Sequence, residues 1–172
     1  MTYKPDIVRI FSELSETVKN SLSRDSLHFV HGYIEEINVT LRELASQPIT
    51  DSLRYPAIML IQPFTVTKGE DYYNLKNAQI LIAINTLQEL KAADRYVNTI
   101  TPILYPIYDA LLDAISRHSE IVDADPEMIE HELKELPFYG VESGGTANIF
   151  NDMIDCLMID NLNLKINPTK NC

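Results

Sequence analysis

Ile7, Ile10, Phe11, Leu14, Val18 and Leu22 recur at helical spacing, so one side of this opening segment is apolar and a first helix is expected through about Leu22. Pro5 and Asp6 suit its start, because proline fits a first turn and an acid complements the positive end of the helix dipole. The stretch "LHFVHGY" (27–33) reads as a short strand or turn. Ile34, Ile37, Leu41 and Leu44 then repeat at intervals of 3, 4 and 3, which describes a second amphipathic helix over 34–44. Two segments, "RYPAIMLIQPF" (54–64) and "NAQILIAINT" (77–86), are apolar right through their centres. Strands of that kind are covered on both faces, by helices or by another subunit. The polar connection 65–76, which carries Gly69, is either a hairpin tip or a longer mobile arm.

The most informative stretch is Asp94 to Arg117. Tyr96, Val97, Ile100, Ile103, Leu104, Ile107, Tyr108, Leu111, Leu112 and Ile115 keep one apolar stripe in phase over about six turns. Pro102 and Pro106 interrupt it, and a proline inside a helix costs ~3 kcal/mol or more. A stripe that resumes in phase after both prolines predicts one long, kinked helix. The fallback is a second helix that begins at Pro102 with Thr101 as its cap. "LPFYGV" (136–141) reads as a further strand. Leu162, Leu164 and Ile166 alternate with Asn161, Asn163, Lys165 and Asn167, the pattern of a strand with one wet face, which Pro168 ends. The expected architecture is a single α/β (α+β) domain over 1–172 with a polar C-terminal tail, 167–172. In it, a small, mainly antiparallel mixed sheet packs against two to three helices.

A chain of 172 residues buries roughly 70% of its unfolded surface, enough for a core without metals or disulfides. The longest apolar runs, "AIMLI" (57–61) and "ILIAI" (80–84), fall far short of the ~20 residues of a membrane helix. No secretory signal is expected, because the opening "MTYKPDIVRIFSEL" has no basic patch followed by an apolar run. Cys156 sits in an apolar stretch and Cys172 ends a polar one, so a buried thiol and a stray thiol are expected, with synthesis in a reducing cytoplasm. Fourteen basic against twenty-five acidic residues give a net charge of −11. That balance argues against a protein that reads DNA sequence, which needs cations to displace phosphate counterions. The acids concentrate in "EIVDADPEMIEHELKE" (120–135), either a solvated segment or a surface kept negative for a purpose.

Candidate chemistry is sparse. Gly144-Gly145 lacks the flanking pattern of a phosphate loop. Asn148, Asn151, Asp152 and Asp155 could offer oxygens to Ca²⁺, but the spacing of a calcium loop is missing, and turn-forming Gly, Asn and Asp leading into a strand explain the stretch. His28, His31 and Glu35 could chelate Zn²⁺ only if helical, and Gly32 falls between them. His118 and His131 read as imidazoles hydrogen-bonded to neighbouring carboxylates. Cys156 has no catalytic signature, and carboxylate pairs such as Glu35/Glu36 and Asp123/Asp125 are commonplace in an acidic chain. The nine tyrosines have no basic patch around them and suit core edges or interfaces. No catalytic, cofactor-binding or metal-binding residue is expected, and the chain is not expected to be an enzyme.

The order of segments has a likeness of its own. "HGYIEEINVTLREL" precedes "YPAIMLIQPF" and "NAQILIAINT", then "DRYVNTITPILYPIYDALLDAI" and a closing "ANIFNDMIDCLMIDNLNLKI". From about Gly32 to Ile166 this resembles the tail terminator and neck-ring proteins of tailed bacteriophages. The residues that carry the likeness are Tyr55-Pro56 leading an apolar strand, Pro102–Leu104 in the long helix, and Asn151-Asp152 with Asp155 ahead of the last strand.

The resemblance implies a sheet backed by helices and a homo-oligomeric ring, sixfold or twelvefold, in the neck or upper tail of the virion. Its neighbours would be a portal or connector protein on one side and a tail tube or nozzle protein on the other. The subunit would be made in the host cytoplasm, with no cofactor and no membrane, and DNA would pass the lumen without sequence-specific binding. Six copies at −11 each would carry about −66, which repels DNA phosphates from any wall it lines. Glu120, Asp123, Asp125, Glu127, Glu130, Glu132 and Glu135, or the 65–76 loop, are the expected lumen lining or docking surface. Two rival readings are a small cytoplasmic α/β ligand-binding protein or enzyme, and an acidic assembly adaptor or chaperone that holds a basic partner.

Overall fold

Asp6 caps helix α1 (Ile7–Ser21): its carboxylate accepts the Arg9 N–H at 3.0 Å, satisfying a donor the first turn leaves open. The computed structural model describes residues 4–46, 54–87, 89–122, 124–139, 150 and 152–167. Strand β1 (His28–Gly32) follows α1, and helix α2 (Ile34–Ala45) begins at once. Gly32 makes that sharp junction possible. Its φ is +137°, and a Cβ there would lie 2.7 Å from the Glu36 carboxylate, which accepts the Tyr33 N–H at 2.9 Å. Strand β2 (Ala57–Ile61) returns parallel to β1, flanked by cis peptide bonds at Tyr55–Pro56 and Gln62–Pro63.

The 65–76 connection is a hairpin. Strand β3 (Thr65–Lys68) pairs antiparallel with the first residues of β4 (Tyr73–Asn85), so β4 starts four residues earlier than the apolar run suggests. Strands β5 (Ile121–Val122), β6 (Glu132–Tyr139) and β7 (Ile154–Ile166) complete a sheet in the order β1-β2-β4-β7-β5, with β3 on β4 and β6 on β7. Among the described residues, only β1 and β2 pair in parallel. The expected α+β fold, a mainly antiparallel mixed sheet against helices, is the fold observed.

Both sheet faces are covered, which explains the unbroken apolar runs. On one face α1 and the long third helix pack on Ile58, Leu60, Ile80, Ile82, Leu157 and Ile159. On the other, Ile37 and Leu41 of α2 pack with Ala57, Met59, Leu81, Ala83 and Cys156. Each Leu or Ile so buried contributes about 1.5–3 kcal/mol before the cost of ordering it. The central strands also change parity along their length. In β4 the residues facing α1 are Ile82, Ile80 and Ala78, then Leu75; in β7 they are Leu157 and Ile159, then Leu162, Leu164 and Ile166. The switches coincide with register shifts and with positive φ at Asn77 (56°) and Asn161 (53°). Each strand takes in one extra residue, so the two bulges offset each other and register is regained.

Helix α3 (92–117) runs through both prolines as one continuous helix: an α-helical turn (Ala92–Arg95), a π-helical stretch (Tyr96–Leu104) and an α-helix (Tyr105–Arg117). The wider register, in which Tyr105 N–H reaches the Ile100 carbonyl, absorbs Pro102 without ending the helix. Ile100, Leu104, Ile107, Leu111 and Ile115 are fully buried, as the stripe predicts. Its first two members are not. Tyr96 is 40% and Val97 73% exposed, because the π stretch carries more residues per turn and rotates them off the face that Ile100 and Leu104 share.

The acidic segment is a second departure. β5 and β6 lie along the same side of β7, and β6 begins four residues before the predicted 136. Between their pairings, nine residues (123–131) span the length that four residues of β7 (161–164) cover. Asp125, Glu127 and Glu130 therefore sit on an arch in an interrupted edge strand.

Candidate functional site

The acidic set divides by the strand alternation and the arch. Glu120 is turned toward α1, where Arg9 reaches its carboxylate at 2.6 Å. Arg9 also holds Glu13 at 2.8 Å, and this guanidinium is the main cause that keeps the Glu13 carboxyl below its usual range. Asp125 builds the arch: its side chain accepts the Glu127 N–H at 3.0 Å and its carbonyl accepts the Met128 N–H at 2.9 Å. Glu127 and Glu130 are exposed on the arch, and Glu132 is exposed at its exit, 3.5 Å from Lys134. Lys134 in turn holds Asp160 at 2.6 Å and keeps that carboxyl acidic.

Glu135 faces the other way. It accepts hydrogen bonds from the hydroxyls of Tyr105 and Tyr96 on α3, which favour its ionised form and lower its pKa. The same contact pushes the Tyr105 hydroxyl up to about 12. Asp125, Glu127, Glu130 and Glu132 thus form an exposed acidic run, while Glu120 and Glu135 are committed to the helices behind it. Asp123 lies outside the described residues.

The stretch leading into β7 is a structural anchor. Asp152 receives the Arg54 guanidinium, one nitrogen lying 2.8 Å from both carboxylate oxygens, and the Tyr55 hydroxyl at 3.1 Å. Burial is the main cause that raises the Tyr55 hydroxyl pKa. Asp155 is fully buried and meets Arg95, itself 4% exposed, at 2.8 Å, with the Thr99 hydroxyl on its other oxygen at 2.8 Å. Arg95 also donates to Thr86 Oγ1 (2.7 Å) and to the Leu87 and Leu90 carbonyls (2.7 and 3.1 Å). Both aspartates are engaged by arginine and hydroxyl partners, and Asp155, read from the sequence among the turn-forming residues ahead of the strand, lies inside β7 as half of a buried ion pair. The Gly-Gly turn, Asn148, Asn151, Pro168 and Cys172 lie outside the described residues. Cys156 is buried, and burial pushes its thiol up to about 12.

The histidines sort similarly. His28 and His31 are an odd number of residues apart on β1, so they point to opposite faces and cannot share an ion. Burial lowers the His28 pKa. His118 meets a carboxylate as expected, Glu13 at 3.2 Å. His131 does not: like Leu133 and Glu135 it faces α3, where its ring bonds the Tyr108 hydroxyl at 2.8 Å and the Ile129 carbonyl at 2.7 Å. Among the described residues, no cluster of His, Cys, Asp and Glu is arranged to hold a metal ion.

Sequence reasoning missed the Arg95–Asp155–Thr99 network and the tyrosines that hold Glu135. A signal for the first was present, because an acid at the head of the unbroken apolar run "IDCLMI" needs a buried partner. The second depends on the phase of the π stretch, which no spacing reveals. Set against protein-family models, curated proteins and solved structures, the chain gives no match. No helix among the described residues is long and apolar enough to cross a membrane.

Proposed function

We propose that this chain is a non-enzymatic structural subunit of a tailed-bacteriophage virion: a tail terminator, tail completion or neck ring protein that assembles with copies of itself at the head–tail junction. Its other partners are a connector protein above and a tail tube or nozzle protein below, with DNA passing the lumen. The observation that carries the reading is a set of exposed apolar side chains beside a braced helix start: Leu87 (64% exposed), Tyr96 (40%) and Val97 (73%) lie just before and within the first turns of α3. The buried Arg95–Asp155 pair grips the Leu87 carbonyl and the foot of the helix beneath them. Exposed apolar groups on a braced element suit a protein interface better than solvent.

The likeness quoted above adds support through its residues. Tyr55, Asp152 and Asp155 all serve to tie β7 to β2 and α3, a use that fits a scaffold. Solution mass and negative-stain microscopy test the proposal. Rings of six or twelve are expected from the unaltered chain, and a Leu87→Glu, Val97→Glu variant should stay monomeric with unchanged melting. A monomer at every concentration, stabilised by a small metabolite, would overturn it.

A further inference from the structure

At the end of the sheet away from α2, the arch, β7 and the start of β4 line an open cavity of about 720 Å³. That is within the range of ligand sites in proteins, about 300–1,000 Å³. Three irregularities of the backbone make it: the bulge at Asn77, the bulge at Asn161 and the nine-residue arch between β5 and β6. Bulges beside a site commonly re-aim the side chains that serve it.

Lys76 and Lys165 line this cavity, with Asn74 and Asn163 beside them. Asn74 and Lys165 are cross-strand partners, and Lys76 and Asn163 are two residues further along their strands, so the four share one face of the sheet. Both lysines are exposed and neither makes an ion pair among the described residues, the Lys165 ammonium lying 5.4 Å from the centre of the Tyr72 ring. In a chain with a net charge of −11, this concave site is lined by two lysines against one carboxylate, Glu130. The arch supplies the apolar wall through Ile129 and Met128, the latter 76% exposed. Methionine suits a surface that adapts to a partner side chain. Glu130 on the rim adds an acceptor for an N–H.

We propose that this cavity docks an acidic peptide segment with an apolar centre, belonging to a partner protein. The lysines take its carboxylates, the asparagine amides and Glu130 meet its backbone, and Met128 and Ile129 receive its apolar side chain. An inorganic anion or a small dicarboxylate would use the lysines but leave the apolar wall and Glu130 without a role. The inference stands apart from ring formation, since a chain that never forms rings can still hold such a segment.

Calorimetric titration with three probes tests it: a capped peptide alternating glutamate and leucine, its lysine–leucine counterpart, and glutarate. The glutamate–leucine peptide should bind, and more weakly as salt is raised. Lys76→Gln with Lys165→Gln should weaken it about tenfold or more, the usual worth of charge-assisted contacts. Met128→Ala should weaken it several-fold. All three positions are exposed, and an unchanged melting temperature verifies that each variant folds. Equal binding of the two peptides, indifference to the lysine substitutions, glutarate binding as well as the peptide, or no binding at all would each overturn the proposal.

Discussion

Arg95 and Asp155 hold opposite charges where water does not reach. Each has its remaining polar atoms met by Thr86, Thr99 or main-chain carbonyls, so removing either partner strands the other. Arg95→Ala or Asp155→Ala should each cost about 3–5 kcal/mol in urea unfolding. A loss below about 1 kcal/mol would mean that water reaches the pair. Glu135 makes a pH-dependent contribution. The tyrosine hydroxyls lower its folded pKa beneath the ordinary carboxylate value of 4.5, so its stabilisation is complete above that value and is lost as pH falls through the folded one. Tyr105→Phe removes the largest cause. The advantage of the unaltered chain over this variant should therefore shrink as melting is measured from about pH 6 down to about pH 3. A constant difference would mean that Glu135 does not titrate against Tyr105. At this scale little was legible in advance. Asp155 is recognisable as an acid that needs a partner, but Arg95 is sixty residues distant, and only the meeting of α3 with β7 selects it.

Elements were far more readable than contacts, because their periods are local. α1, α2, β2 and the core of α3 follow directly from where Ile, Leu and Val recur. Leu104 and Leu111 lie at the centre of that stripe and are fully buried. Replacing either with Ala should cost about 2–5 kcal/mol, whereas Val97→Ala, on the same helix but exposed, should stay within about 0.5. Chemical denaturation of the three variants checks this, and a Leu104 loss as small as that of Val97 would undo the burial. What the periods hid has a common cause. β3 and the first half of β6 are edge strands with charged or polar outer positions, so each reads as loop until its partner strand is known. The π stretch and the two bulges change residue count without changing composition, and a fixed period cannot register that.

At the scale of the whole molecule, charge is the property that acts at a distance. Six copies would carry about −66, yet beyond roughly 10 Å ordinary salt screens that total, so only acids close to the bore would act on passing DNA. Asp125, Glu127, Glu130 and Glu132 are the exposed run, whereas Glu120 and Glu135 are engaged by the helices. Reversing Glu127, Glu130 and Glu132 to lysine changes each subunit by +6, from −11 to −5. Such a ring is still negative overall. Retention of duplex DNA by it would therefore report where those side chains stand and not the net charge. In a gel-shift assay at low salt, unaltered rings should leave DNA free, while variant rings should hold it and release it along the linear log–log salt dependence of counterion release. Variant rings that assemble normally and still ignore DNA at the lowest salt would place the arch away from the bore of the proposed ring.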